Sequence, residues 1–349
     1  MLHCPPRNYG GSEVVVFDLA CALTELGHRV VLFAPSGSTV PRNGLLVETP
    51  EPAMKVQCDW LQAEQKMFGV YSKHIANDFD VVHAHGWFKL EFMLRHSNVW
   101  STHHGGINIP WFSQLRAQTK SPIRLVAISR FMKRMYEEQG FGDECKHFVH
   151  NGIDLDKYQF SSKHDSGRLL FVGRADIFKA PHVAIQVAKK LDTGLDLVCG
   201  SFVQDEAYLN RIRGLCDGTQ IKLHENAPHE LKIRLMQSAK CLLFPSQMGE
   251  PWGLVAAESM ACGSPVVALN DGAVEEVVQE GGTVCDVYDK KFCNGQLSYA
   301  LKQDPLDALV GAVGRIDTIS SQEARRNAER FSREKMAENY LKIYKEGLK

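Results

Sequence analysis

Residues Phe244–Leu269 read FPSQMGEPWGLVAAESMACGSPVVAL, and this stretch decides the fold. An apolar strand ends at Phe244-Pro245-Ser246. A glycine-bearing loop follows, a short helix starts at about Leu254, Gly263 stops it, and a second strand begins at Val266-Val267. Strand, loop, helix and strand in that order form the half-unit of a parallel α/β sheet. The loop and the helix N-terminus then lie at the carboxyl end of the strands, where open α/β folds bind ligands.

Two carboxylates interrupt this apolar stretch. Glu250 sits in the loop, and Glu258 sits in a helix whose other residues are small or apolar: Leu254, Val255, Ala256, Ala257, Met260, Ala261 and Cys262. Such a helix is buried, and a Glu enters a buried helix only with a partner. A diol is a suitable one, because an ionised carboxylate only accepts and two adjacent hydroxyls both donate. Between the acids, Gly253, Leu254 and Val255 open the helix, where N–H groups without intrahelical partners and the dipole favour a phosphate. Acid, phosphate cradle and acid suit a sugar, a diphosphate and a ribose in a row. A plainer reading makes Glu250 an N-terminal acid that complements the helix dipole and Glu258 a bond to a neighbouring loop.

The spacing Glu250-PWGLVAA-Glu258, followed by SMACGSPVVA, resembles the donor-site signature of the retaining glycosyltransferases of family 4, which have the GT-B fold. The match is dense over about twenty positions, far more than a lone glycine-rich loop offers. The resemblance implies that Glu250 contacts hydroxyls of a donor sugar and that Glu258 holds the ribose hydroxyls of a nucleotide.

Composition sets the outer bounds. The chain has 349 residues, enough for two domains with full cores, with 23% charged and 44% hydrophobic residues. A formal net charge of −1 gives no global field that would recruit nucleic acid or an anionic membrane. No apolar run approaches the ~18 residues of a membrane span. The start, MLHCPPRNYGG, lacks the ordered regions of a secretory signal, so a cytoplasmic protein is expected. Ten cysteines without a CxxC pair, several inside apolar runs (Cys21, Cys199, Cys241, Cys262), read as reduced core thiols.

Towards the N-terminus, Gly10-Gly11-Ser12 precede a helix to about Leu26, with Ser12 a candidate N-cap and Gly27 a stop. No buried strand comes first, as a domain of this type requires, so that strand is expected to be lost or to lie upstream. Gly10-Gly11 is either a tight turn or a close approach of backbone to phosphate. The string YGGSE followed by a helix and LGHRVVLFAP resembles the family's N-terminal pattern, which implies the second reading. Strands are expected at Val30–Phe33, Asp80–Ala84, Val99–Thr102 and Leu125–Ile128, with helices from about Lys55 to Asn77, Phe88 to Arg95 and Phe131 to Gln139, the last capped by Ser129.

Histidines gather at strand ends: His83 and His85 in DVVHAHGW, His103 and His104 in STHHGG. Zinc needs three or four converging ligands, and no Cys or acid supplies the further arm nearby. A histidine at a strand end is more often a satisfied hydrogen-bonding residue. The family carries T-x-H-G here, which implies that His104 lies beside donor sugar and acceptor, with His83 or His85 near it. Asp154 and Asp156, after the Asn151-Gly152 turn signal, read as turn and cap residues rather than as a metal site.

The second half opens with RLLFVGRADIFKAPHVAIQVAKKL. A strand ends at Gly173-Arg174, and after a loop containing Lys179 a helix starts at Pro181. Arg174 and Lys179 read as a diphosphate clamp, a planar fork beside a point charge, or as two solvated charges. Family members carry the same pair, usually with Gly after the Lys, where this chain has Ala180-Pro181. Further strands end at Gly200, Glu225 and Ser246, with helices at about Gln204–Leu215 and Glu230–Ser238.

The expected architecture is α/β and GT-B: two Rossmann-like doubly wound domains facing a cleft, with residues 1–155 on the acceptor side, 156–331 binding the donor, and a helix of about 332–349 crossing back. The expected activity is retaining, metal-independent transfer of a sugar from a UDP-, GDP- or ADP-sugar to a hydroxyl acceptor, with no cofactor. Glu250, His104, Arg174 and Lys179 would be catalytic; Gly10, Gly11, Gly253, Leu254, Val255 and Glu258 would bind the donor. The alternatives are a nucleotide-sugar epimerase, which needs no acceptor, a phosphorylase, which needs pyridoxal phosphate, and a non-catalytic nucleotide-sugar binder.

Overall fold

The computed structural model describes residues 3–6, 10–49, 59–75, 79–105, 109–163, 166–200, 205–247, 249–293 and 296–348. Tyr9, which opens the N-terminal family string, and both ends of the helix expected over 55–77 lie outside the described residues. The chain divides into two compact units. The first takes in Met1–Gly152 and Arg333–Lys349, the second Ile153–Cys293 and Leu297–Ser332.

The first unit is built from α1 (Gly11–Glu25), β1 (Val31–Pro35), β2 (Leu45–Thr49), α2 (Trp60–His74), β3 (Val82–Ala84), β4 (Val99–Thr102), α3 (Ile109–Arg116), β5 (Leu125–Ala127), α4 (Arg130–Glu138) and β6 (His147–Phe148). All its strand pairs are parallel, but the sheet is in two pieces, β1–β2 and β3-β4-β5-β6. Among the described residues no strand precedes α1, and none joins the two pieces. Ser12 does not cap α1: the cap position is Gly10, which makes no side-chain bond, and Ser12 lies within the helix. Ser129 does cap α4, accepting from the Met132 amide at 3.0 Å. The helix expected over Phe88–Arg95 is only a 3₁₀ turn at Leu90–Met93. Lys89 just before it takes a left-handed φ of 56°, which does not continue an α-helix.

The second unit runs β7 (Leu169–Gly173), α5 (Pro181–Lys190), β8 (Leu195–Cys199), α6 (Glu206–Leu215), β9 (Ile221–Glu225), α7 (His229–Ser238), β10 (Cys241–Phe244), α8 (Leu254–Ala261), β11 (Val266–Leu269), α9 (Val274–Val278) and β12 (Gly282–Cys285). A hairpin, β13 (Tyr288–Cys293) and β14 (Gln296–Leu301), then precedes α10 (Pro305–Val313) and α11 (Ser321–Ala328). The final helix, α12 (Arg333–Tyr344), belongs to the first unit. There it packs on α1, and Arg333 pairs with Glu25 at 2.9 Å.

Six strands of the second unit form one parallel sheet in the order β12-β11-β10-β7-β8-β9. Cys241–Phe244 and Val266–Leu269 are buried along their whole length, as befits strands covered by helices on both faces. Each fully buried Leu or Val contributes about 1.5–3 kcal/mol to that core. The strand order reverses between β7 and β10. The connections that follow these two strands therefore run to opposite sides of the sheet, and their loops lie side by side at the carboxyl edge, where open α/β folds bind ligands.

Candidate active site at the strand-order reversal

Two loops meet at this reversal. The first leaves β7 at Gly173 and carries Arg174, Asp176 and Lys179. Asp176 shapes it, taking the amides of Phe178 at 3.1 Å and Lys179 at 2.8 Å on one carboxylate oxygen. Its other oxygen lies 3.0 Å from Arg174 Nε, an ion pair without the alignment of a hydrogen bond. Ala180 stands at the cap of α5 with a left-handed φ of 54°, and Pro181 opens the helix. The position that family members usually fill with Gly thus keeps a glycine-like backbone despite its Cβ.

The second loop leaves β10 and carries Ser246, Glu250 and Gly253. Gly253 caps α8 at φ 98°, a conformation suited to glycine, so the N–H groups of Leu254 and Val255 open the helix. Lys179 and Glu250 join the loops: the ammonium donates to Glu250 Oε2, which also accepts from Ser246 Oγ at 3.1 Å. Glu250 is only 6% exposed, so it is a buried carboxylate held by a cation and a hydroxyl, not a solvated dipole-complementing acid.

Glu258 lies about one turn further along α8 and is equally buried. Tyr158 donates to its Oε1 at 2.7 Å and Lys232 Nζ to its Oε2 at 2.9 Å. A carboxylate has roughly four lone-pair sites, so acceptor capacity remains for a diol. Tyr158, Lys232, Ser246 and Asp176 are the partners missed in the sequence reading. Asp176 alone left a local signal there, an Asp two and three residues before the amides it binds.

The first unit brings the strand-end histidines together. His85 Nδ1 and His104 Nε2 are 3.0 Å apart, and His83 lies between the Tyr344 hydroxyl at 2.6 Å and Thr102 Oγ1 at 2.9 Å. The N–H···N contact needs one neutral partner. Burial, with Lys89 nearby, lowers His104 to about 3, and burial lowers His83 to about 3. Gly10 is buried and its carbonyl accepts the Val14 amide at 3.2 Å, so Gly10-Gly11 starts α1. Among the described residues no group of three or more His, Cys, Asp or Glu is arranged to hold a metal ion. Asp154 accepts the Asp156 amide at 3.1 Å, a turn bond.

These histidines give a pH signature. The unfolded chain takes up protons near pH 6.5, the folded unit only near pH 3, so protonation favours unfolding. Their stability is fully present above pH 6.5 and erodes as pH falls towards about 3. Glu64 and Glu91, both raised by burial, oppose this above about pH 4.5, where the folded unit holds their protons and the unfolded chain does not. Discounting for partial exposure, the loss is about 1 kcal/mol per pH unit between pH 6.5 and 5. Melting curves across that window should show falling stability; a flat profile would mean that these imidazoles are charged or solvated.

Residues 9–157 match the family model described as Glycosyltransferase Family 4, and residues 153–315 match that of Glycosyl transferases group 1. A D-inositol 3-phosphate glycosyltransferase 1 of Catenulispora acidiphila is 26% identical over 325 residues, covering 78% of this chain and 77% of the relative. A glycogen synthase of Mycobacterium tuberculosis is 26% identical over 328 residues, covering 80% and 79%. Among solved structures, AviGT4, a glycosyltransferase involved in avilamycin A biosynthesis, superposes with a TM-score of 0.72 at 24% identity, covering 99% of this chain and 93% of that one. Sucrose-phosphate synthase of Thermosynechococcus elongatus gives 0.76 at 19%, covering 99% and 97%. Two parallel α/β units, a carboxyl-edge site at the strand reversal, and these matches along both halves place the chain in the group 1, family-4-like glycosyltransferases of GT-B fold.

Proposed function

We propose that the chain transfers a glycosyl group, with retention, from a nucleotide diphosphate sugar to a hydroxyl acceptor. The observation that carries this is the joining of the β7 and β10 loops through Lys179 and the buried Glu250, beside the open end of α8. Structural neighbours have been solved with UDP-glucose and with ADP, which supports a nucleotide-sugar donor.

As the bond to the diphosphate breaks, negative charge grows on the leaving oxygens. Arg174, Lys179 and the amides at Gly253–Val255 stabilise it. The Lys179 ammonium has three donors, of which Glu250 takes one, leaving two for phosphate oxygens. Glu250 positions the sugar and Glu258 takes the ribose diol. One acid committed to the ribose leaves no pair to flank the anomeric carbon, as the two-carboxylate mechanism of glycosidases requires. Retention then follows from reaction on one face, with the leaving phosphate helping to deprotonate the acceptor. His104, with Gly10 and Gly11, belongs to the acceptor-side unit. No helix among the described residues is long and apolar enough to cross a membrane.

The side-chain cations and the helix end supply the positive charge, so catalysis is metal-independent. The test is a thermal-shift screen of UDP-, GDP- and ADP-sugars, followed by hydrolysis of the best binder with and without EDTA. Turnover that survives the chelator is expected; full loss restored by added metal would overturn this part. Stabilisation by a nucleotide sugar without transfer or hydrolysis would instead mark a binding protein.

A further inference from the structure

The hairpin β13–β14 has no role in the site as described so far, yet it is fastened to the loop that carries Glu250. Tyr299 on β14 donates its hydroxyl to Asp271 Oδ1 at 2.7 Å. Asp271 is fully buried, and its Oδ2 accepts the Gly249 amide at 2.8 Å and, more weakly, the Glu250 amide at 3.4 Å. The next residues complete the grip: the Ala273 amide donates to the Glu250 carbonyl at 2.8 Å. Gly272, at φ 60°, passes so close that a Cβ there would lie 2.2 Å from the same carbonyl oxygen. A second bolt ties the hairpin to this segment, Lys290 Nζ to Asn270 Oδ1 at 2.7 Å.

The Glu250 backbone is therefore gripped by residues 271–273, and the hairpin fixes the orientation of the carboxylate that grips it. Without the Tyr299 hydroxyl, Asp271 Oδ1 loses a short bond and the carboxylate's hold on the two amides weakens. We propose that Tyr299 and Asp271 are positioning residues: through them the β13–β14 hairpin sets the place of Glu250 and hence the alignment of the donor sugar, without contributing to nucleotide affinity. This rests on the reading of Glu250 as the donor-sugar contact.

Tyr299→Phe keeps the ring, which packs edge-on against Tyr288 with centroids 5.5 Å apart, and removes only the hydroxyl. Amide hydrogen exchange in a peptide covering 249–252 is expected to quicken at least about fivefold, the opening that a lost bond to a buried carboxylate permits. Unchanged exchange overturns the brace whatever the activity. Turnover of the nucleotide sugar found by the UDP-, GDP- and ADP-sugar screen should fall about tenfold. Affinity for the matching nucleoside diphosphate should stay within twofold of wild type. Added to Glu250→Gln, Tyr299→Phe should cost nothing more, because both act through one side chain. Full additivity, or equal losses in turnover and nucleotide affinity, overturns the proposal. If Glu250→Gln alone leaves turnover intact, it is the donor-sugar reading of Glu250 that fails, and the exchange result still decides the brace.

Discussion

Glu250→Gln is expected to lower turnover about 100- to 1,000-fold at saturating donor, the range seen when one preorganised polar group is removed from a transition-state site. The substitution preserves volume and an oxygen for Ser246, which donates to Oε2 at 3.1 Å. It removes the negative charge that the donor sugar's hydroxyls meet, while the amide oxygen still accepts from the Lys179 ammonium, which keeps its own charge for the diphosphate. Nucleoside diphosphate affinity should change little, because the sugar end of the donor is absent from that ligand. The comparison to make is steady-state turnover against calorimetric nucleotide affinity in the same preparation.

The second large effect is expected at Glu258, with the opposite profile. Glu258→Ala should weaken nucleoside diphosphate binding about 100-fold or more, since two hydrogen bonds from a diol to a charged acceptor are lost at ~1.5 kcal/mol or more each. It also leaves Lys232 and Tyr158 without their acceptor in a nearly buried site, so the second unit should melt earlier. Glu258→Gln separates the two effects. Its amide oxygen still accepts from Tyr158, which recovers much of the stability, while loss of the anion keeps the nucleotide defect. Recovery of stability and affinity together would make Glu258 a structural residue.

The half-units around these acids were legible in the sequence because burial on both faces demands unbroken apolar strands, and Leu169–Val172, Cys241–Phe244 and Val266–Leu269 are such runs. Glycine punctuation then placed the loops, and Gly253 caps α8 where the helix was expected to open. The partners of the acids were not legible. Tyr158 meets Glu258 across 100 residues and Lys179 meets Glu250 across 71, contacts that only tertiary folding creates. The hairpin was missed for a different reason. Its strands are charged and half-polar, YDKKFC and QLSYAL, so they lack the apolar runs that marked the rest. Asn294-Gly295 between them is the dipeptide most favoured in tight hairpins, and it was the available signal. In the first unit the expected single doubly wound sheet is in two pieces among the described residues, and the helix expected over Phe88–Arg95 gives way at Lys89. That lysine is 1% exposed and bonds the Gly86 carbonyl at 2.6 Å, so burial of a cation overrides helical periodicity there.

One calorimetric titration decides most. UDP, GDP and ADP are titrated in turn into wild type, Glu250→Gln and Glu258→Ala. A donor site with the sugar at one acid and the ribose at the other requires that one diphosphate bind wild type and Glu250→Gln alike and bind Glu258→Ala at least tenfold more weakly. Equal affinities for all three proteins, or no binding to wild type, would contradict it.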